Sequence, residues 1–190
     1  MTFHAVFLDR DGTINEDPGY LGNPDLVKLL PGVAEGISDL KSNYGFKTIV
    51  ISNQAGIAKG LITDDQVNKV NKKINELLSE QNAEIDVFYY CPFHPLYNSQ
   101  EQSECRKPSA YMINKAANEN KIDLSKSYMI GDKASDVLCG INAGVKSILI
   151  NSQLIAEEIN SLKKEGKTPN FTANNFLDAV NFIKQDFNKR

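Results

Sequence analysis

Short runs rich in β-branched and aromatic residues alternate along this chain with longer stretches of helical periodicity, and that alternation limits the folds open to it. Ala5 to Leu8 reads as a buried strand. Val33 to Asn43, entered through Pro31-Gly32, reads as a helix, and Phe46 to Ile51 as the next strand. Thr63 opens a helix: Gln66 stands where a capping box needs it, and Val67, Val70, Ile74, Leu77 and Leu78 recur at helical spacing. Asp86 to Tyr90 is a third strand, and an irregular stretch runs from Cys91 to Pro108. A helix over Ser109 to Asn120, a strand over Ser127 to Ile130, a helix over Lys133 to Ala143 that stops near Gly144, and a strand over Lys146 to Ile150 follow. Two further helices, near Leu154 to Lys164 and Asn174 to Phe187, are expected on the outside. Strands alternating with helices need right-handed crossovers, so the pattern predicts an α/β, Rossmann-like fold with a mostly parallel central sheet and helices on both faces. The 190 residues suit a single domain over 1–190, with no repeat, low-complexity tract or linker.

Composition narrows the partners. Lys and Arg number 21 against 24 Asp and Glu, a net charge of -3 that argues against nucleic acid and leaves room for a local basic pocket. No run approaches the roughly 18 apolar residues of a membrane helix, and the first apolar stretch breaks off at Asp9-Arg10-Asp11, so neither a signal peptide nor a membrane partner is expected. The cysteines, Cys91, Cys105 and Cys139, are odd in number and form no dense framework, which points to a reducing, cytoplasmic home.

In a parallel α/β sheet the ligand site lies beyond the carboxyl ends of the strands. Strand one ends in Asp9-Arg10-Asp11-Gly12-Thr13, whose carboxylates, two residues apart, leave an extended backbone on the same side. Two such charges need a cation or a proton between them. Strand two ends in Ser52-Asn53-Gln54, able to donate hydrogen bonds to a phosphate. Arg106-Lys107-Pro108 precedes a helix, and strand four ends in Gly131-Asp132-Lys133-Ala134-Ser135-Asp136. Each piece has a plainer reading: a turn, a solvated face, or helix capping by Asp132 with a dipole contact for Asp136.

Taken in order, the acid pair, hydroxyl, lysine and second acid pair resemble the four motifs of the haloacid dehalogenase (HAD) superfamily over Asp9 to Asp136. The resemblance implies a phosphoric monoester hydrolase. Asp9 would be the nucleophile, Asp11 the acid and base, and Ser52 and Lys107 the holders of the phosphoryl oxygens. Mg²⁺ would rest on the Asp9 carboxylate, the Asp11 carbonyl and the Asp132 carboxylate, with Asp136 and Lys133 supporting. A receiver domain combines similar residues but places its acceptor after a later strand, and a catalytically dead HAD fold would be expected to lack one of these acids.

Longer runs narrow the resemblance: Asp9 to Asn15 with Gly19-Tyr20, Ser52 to Gly60, Tyr89-Tyr90-Cys91-Pro92, Cys105 to Pro108, and Tyr128 to Lys133. They look like the D-glycero-D-manno-heptose 1,7-bisphosphate phosphatases and their histidinol-phosphatase relatives. That subgroup has no large cap domain and acts on a small phosphorylated sugar in nucleotide-activated heptose synthesis; independently of it, a monomer is the default expectation. Loops would then shape the pocket: Glu16 to Leu26, Ala55 to Leu61 and Cys91 to Pro108. Arg106, Lys59, Asn53 and Gln54 become the substrate-contact candidates, Arg106 through its bidentate fork; Lys59 stands where relatives often carry Arg. The subgroup usually binds zinc through Cys-x-His and Cys-x-Cys. Here those positions read Cys91-Pro92-Phe93 and Ser103-Glu104-Cys105, so no zinc is expected unless His94 restores a third ligand. The loop is then expected to hold by packing of Phe93, Tyr97 and the prolines, with Cys91 and Cys105 as leftover thiols, Cys139 as a core residue and His4 structural.

Overall fold

A computed structural model describes residues 2–189. Its centre is a six-stranded, all-parallel sheet: β1 (Ala5–Leu8), β2 (Lys47–Asn53), β3 (Val87–Cys91), β4 (Tyr128–Gly131), β5 (Lys146–Ile150) and β6 (Phe171–Ala173), in the order β3-β2-β1-β4-β5-β6. The helices are α1 (Val33–Tyr44), α2 (Ala55–Ala58), α3 (Asp64–Ser79), α4 (Gln100–Ser103), α5 (Tyr111–Asn120), α6 (Ala134–Ala143), α7 (Ile155–Lys164) and α8 (Phe176–Phe187). This is the Rossmann-like α/β architecture, built on a parallel sheet, that the strand–helix alternation predicts.

Side-chain alternation along β1 divides the core. Val6 and Leu8 face one layer with Ile37, Leu40, Val70, Ile74, Val180 and Ile183, while Ala5 and Phe7 face the other with Met112, Ile113, Ala116 and Cys139. Cys139 is fully buried, as expected of a core residue. The Thr63–Gln66 capping box starts α3, with Gln66 N–H donating to Thr63 Oγ1 at 3.2 Å and Thr63 N–H to Gln66 Oε1 at 2.9 Å. Gly144, at φ 79°, closes α6 in the left-handed conformation that suits glycine. His4 bonds the Tyr44 carbonyl at 2.8 Å and packs on Phe46, a structural role.

The sheet has one strand more than the sequence pattern announces. β6 is three residues long, too short for any periodicity, and exists because Phe171, Thr172 and Ala173 pair with Ile148, Leu149 and Ile150. The Ala55–Leu61 and Cys91–Pro108 stretches, read as loops, contain the single turns α2 and α4; Ser99 and Gln102 cap the latter.

Candidate active site

Every strand that points at the site ends where a polar residue takes over. Asp9 extends β1 by one residue, its N–H donating to the Ile130 carbonyl at 2.9 Å. Its Oδ1 accepts from Lys107 Nζ at 2.7 Å and from the Arg10 N–H at 2.8 Å. Lys107 Nζ also donates to the Ile51 carbonyl at 2.7 Å and lies 2.7 Å from Asp136 Oδ1. The ammonium is buried, which alone would lower its pKa, but the charges of Asp136 and Asp9 outweigh burial and hold it above its ordinary value. Lys107 therefore stays charged.

One ammonium does not balance the acids around it. Asp9, Asp132 and Asp136 bring carboxylate oxygens within 4.8 Å of one another, the only such acid cluster among the described residues. Burial, with the charges of Asp9 and Asp136 added and Lys133 opposing, pushes the Asp132 carboxyl up to about 7. Burial and Asp9 likewise raise Asp136 against the pull of Lys107. Asp132 Oδ1 is buried and has no hydrogen-bond partner among the described residues. A buried, unpartnered carboxylate oxygen beside two further acids fits a hard divalent cation, which takes oxygen ligands and removes the like-charge cost. Gly12 leaves the room: at φ 86° it passes so close that a Cβ there would lie 2.5 Å from Asp132 Oδ2.

Asp11 faces a separate network. The Arg10 guanidinium, fully buried, donates through Nη2 to Asp11 Oδ2 at 2.9 Å and through Nε to Asp11 Oδ1 at 3.1 Å. Its other contacts are Asn71 Oδ1 on α3 at 3.1 Å and Gln54 Oε1 at 3.1 Å. Asn15 and Gln54 donate to Asp11 at 2.9 and 3.0 Å. Burial would raise the Asp11 pKa, but Arg10 and these amides hold it below its ordinary value.

The strand-two residues serve the site in two ways. Ser52 Oγ accepts from Gln54 Nε2 at 2.6 Å, so Gln54 ties Ser52 to Asp11 and Arg10. Asn53 spends both ends of its amide on the Lys107 backbone, donating to the carbonyl at 3.2 Å and accepting from the N–H at 3.0 Å. Lys133 caps α6 through its N–H, which donates to Asp136 Oδ2 at 3.0 Å, and its Nζ lies 3.3 Å from Asp17 Oδ2. The neighbouring charges of Asp9, Asp132 and Asp17 outweigh its burial and raise its pKa.

These residues open into a cavity of about 410 Å³. Asp9, Asp11, Ser52 and Lys107 line it, while Tyr20, Lys59, His94 and Arg106 line it too. Asp132 borders instead a neighbouring cavity of about 580 Å³, with Gly12 and Thr13. Lys59 Nζ donates to the Tyr20 hydroxyl at 2.5 Å and lies 5.0 Å from the Tyr20 ring centroid. Among the described residues neither Lys59 nor Arg106 has a carboxylate partner within salt-bridge range; Arg106 Nη1 reaches only the Phe93 carbonyl, at 3.5 Å. Desolvation and then the charges of Arg106 and Lys59 draw His94 below its ordinary pKa.

The loop that carries Arg106 and Lys107 corrects two expectations. Cys91 and Cys105 are not separate thiols: they form a disulfide, Cα atoms 5.5 Å apart, because the loop returns Cys105 to the buried end of β3. A disulfide sulfur is not the thiolate a metal site needs. Tyr97, expected to pack, is 56% exposed, since the turn over 94–98 points it outward beside His94, ring centroids 5.7 Å apart. Phe93 does pack on the core, against the layer that contains Met112 and Cys91.

Comparison with known proteins meets this geometry at the same place. A HAD-hydrolase-like family model matches residues 104–179. The D-glycero-β-D-manno-heptose-1,7-bisphosphate 7-phosphatase of Haemophilus influenzae is 40% identical over 144 residues, 75% of this chain and 78% of that protein. The corresponding D-glycero-D-manno-heptose-1,7-bisphosphate 7-phosphatase of Chlorobaculum tepidum is 42% identical over 157 residues, 78% of each. This chain belongs to the heptose-bisphosphate phosphatase family of HAD-like hydrolases. As a member it is a phosphoric monoester hydrolase. Among solved structures, the D,D-heptose 1,7-bisphosphate phosphatase from B. bronchiseptica, determined with magnesium and phosphate, shares the fold: TM-score 0.82 over 97% of this chain and 99% of that one, at 23% identity. A HAD-like phosphatase structure from Mesorhizobium loti gives a TM-score of 0.74 and 31% identity over 80% of this chain and 74% of that one.

In this HAD-like phosphatase the residues that motif reading leaves out are the braces. Arg10 sits between two motif acids, and nothing in its spacing reveals that it turns to Asn71 and Gln54. Asn71 is a polar residue inside the apolar stripe of α3, which is the signal that could have marked it. Tyr20 and Asp17 line the cavity from the Glu16–Leu26 loop, which was expected to shape it, though no periodicity gives their individual partners; His94 stood out only as a possible zinc ligand.

Proposed function

We propose that this phosphatase removes the 7-phosphate of D-glycero-D-manno-heptose 1,7-bisphosphate, with Mg²⁺, through an aspartyl-phosphate. One observation carries the reading: a single cavity joins the Asp9–Lys107 pair to a rim of Lys59, His94 and Arg106 that, among the described residues, lacks carboxylate partners. A bisphosphate has an anion for each end. The rim disfavours the histidinol-phosphate alternative, whose amine would meet three basic side chains. The names of the relatives agree with this substrate, and the acid set makes a catalytically dead binding module the poorer reading.

Uncatalysed phosphate-monoester hydrolysis is slow enough that positioning and charge stabilisation must do most of the work. Asp9 attacks phosphorus and the sugar oxygen leaves with a proton from Asp11. Water then attacks the acyl phosphate and gives its proton to Asp11, regenerating the Asp9 carboxylate. Arg10 holds the empty Asp11 ionised; a phosphate dianion arriving beside it raises the Asp11 pKa toward the proton-carrying state that the first step needs. Ser52 and Lys107 hold phosphoryl oxygens, and Lys107 needs no rearrangement because Asp9, Asp136 and the Ile51 carbonyl already fix its ammonium. Asp9, Asp132 and the Asp11 carbonyl would hold Mg²⁺, with Asp136 and Lys133 supporting them. Bound there, the ion masks negative charge on the nucleophile and the transferring group.

The test is magnesium-dependent phosphate release from both anomers of heptose 1,7-bisphosphate, fructose 1,6-bisphosphate and histidinol phosphate, compared by kcat/KM with Asp9→Asn as the blank. A heptose bisphosphate is expected to lead by at least about tenfold, as the loss of one charge-assisted contact implies. A lead for histidinol phosphate would replace the substrate and keep the mechanism.

A further inference from the structure

We infer that the Cys91–Cys105 disulfide is a reversible redox site that governs the rim half of the active-site cavity and leaves the phosphoryl-transfer half in place. The inference rests on the two-ended cavity proposed above.

The placement of the two sulfurs carries it. Cys91 ends β3, is fully buried, and its carbonyl accepts from the Gln54 N–H at 2.8 Å, so it belongs to the rigid sheet. Cys105 is partly exposed and immediately precedes Arg106 and Lys107. The disulfide is thus the covalent tie between the sheet and the segment that presents both cations.

The two cations depend on that tie unequally. Lys107 has its own anchors: both backbone bonds to Asn53, and Asp9, Asp136 and the Ile51 carbonyl at its ammonium. Arg106 has its N–H on the Ser103 carbonyl at 3.0 Å and its guanidinium at 3.5 Å from the Phe93 carbonyl. Both partners lie within the stretch that the disulfide closes, whereas the Arg106 carbonyl accepts from the Ser109 N–H at 2.9 Å, beyond it. Opening the tie therefore loosens the Arg106 guanidinium, and with it the surroundings of His94, while Lys107 keeps its position.

The exchange is chemically complete with a dithiol reductant. One thiolate of the reductant attacks the accessible Cys105 sulfur and Cys91 leaves as a thiolate that takes up a proton. The second thiol of the reductant then closes its own disulfide and releases Cys105 as a thiol. Two electrons pass from the dithiol to the protein. Glutathione disulfide reverses the change, forming two molecules of glutathione as Cys91 and Cys105 are joined again.

The test compares oxidised, dithiothreitol-reduced and glutathione-disulfide-reoxidised protein, with Cys105→Ser as the permanently open form. Alkylation and mass spectrometry count the thiols in each state. Turnover is read on heptose 1,7-bisphosphate and on p-nitrophenyl phosphate, which has no second anion. The expected result is a roughly tenfold rise in KM for the bisphosphate on reduction, recovered on reoxidation, with kcat and the aryl phosphate little changed. Cys105→Ser should match the reduced enzyme and ignore dithiothreitol. Backbone amide exchange over 100–107 is measured on the same samples. If the oxidised enzyme has no preference for a heptose bisphosphate, the substrate reading fails and the switch is judged on exchange alone. Faster exchange over 100–107 in the reduced protein, reversed on reoxidation, then sustains it. A pair that opens with no change in KM or in exchange, or that never closes in the purified protein, overturns it.

Discussion

At the scale of single residues the site is an arrangement of charge that no member could hold alone. Lys107 is a buried ammonium made tenable by two carboxylates, and those carboxylates are tenable only beside it. Replacing Asp9 with Asn removes one charge from a crowded cluster, so the fold should survive; phosphate release should fall by at least about 10³-fold, read by steady-state kinetics beside a melting curve. Arg10→Met is the opposite case. It leaves the half-buried Asp11 without its cation and strands the acceptors of Asn71 and Gln54. The expected loss is about 3–5 kcal/mol in urea unfolding, with m unchanged. Asp9, Asp11, Lys107, Asp132 and Asp136 were legible from the sequence because each stands at the end of a strand or the start of a helix, where spacing fixes direction. The duties of Arg10 and Asn53 were not, because their partners lie 61 and 54 residues away.

At the scale of elements, periodicity located every long helix and every strand that crosses the core, and failed where an element is shorter than its own repeat. β6 and α4 are set by neighbours and caps, not by pattern. The entrance of β2 shows how a charge can stabilise an element. Asp86 Oδ2 accepts from the Thr48 N–H at 2.7 Å, and Asp86 Oδ1 pairs with Lys41 at 2.8 Å. Burial would raise the Asp86 pKa, but Lys41 and Thr48 outweigh it and hold it below the ordinary value. A carboxyl depressed in the folded state contributes stability above its unfolded pKa of about 3.9 and loses that contribution as pH falls through the lower folded value. Asp86→Asn should therefore flatten the acid limb of the stability curve below about pH 4, as followed by denaturant melts at stepped pH. The Cys91–Cys105 tie closes a loop with a sequence separation of 14, and its removal by Cys105→Ser should lower stability by up to about 3 kcal/mol, seen as a lower denaturant midpoint.

At the scale of the whole molecule, the sheet order β3-β2-β1-β4-β5-β6 puts β1 at the centre, between β2 and β4. Residues far apart in sequence therefore leave three adjacent strand ends toward one cavity. If the cluster of Asp9, Asp132 and Asp136 binds Mg²⁺, the ion should stabilise the folded state by mass action, by about 2.7 kcal/mol at a hundred times its Kd. Thermal melts over a magnesium series should show this rise in the parent protein and lose it in Asp132→Asn. An equal rise in both would place the ion elsewhere. No helix among the described residues is long and apolar enough to cross a membrane.

The sequence by itself determined the layers, the parallel sheet and the identity of the acids and the lysine, because side-chain periodicity and strand-end position are local properties of a chain. Only the tertiary structure decided which charges neutralise which, that Asn53 braces Lys107 and Gln54 ties Ser52 to Asp11, that Lys59, His94 and Arg106 share one rim, and that two cysteines expected as thiols are joined. Those facts depend on distances between segments. A pairwise electrostatic or covalent contact exists only within a few ångströms, and no local pattern records which remote segments the packed core brings that close.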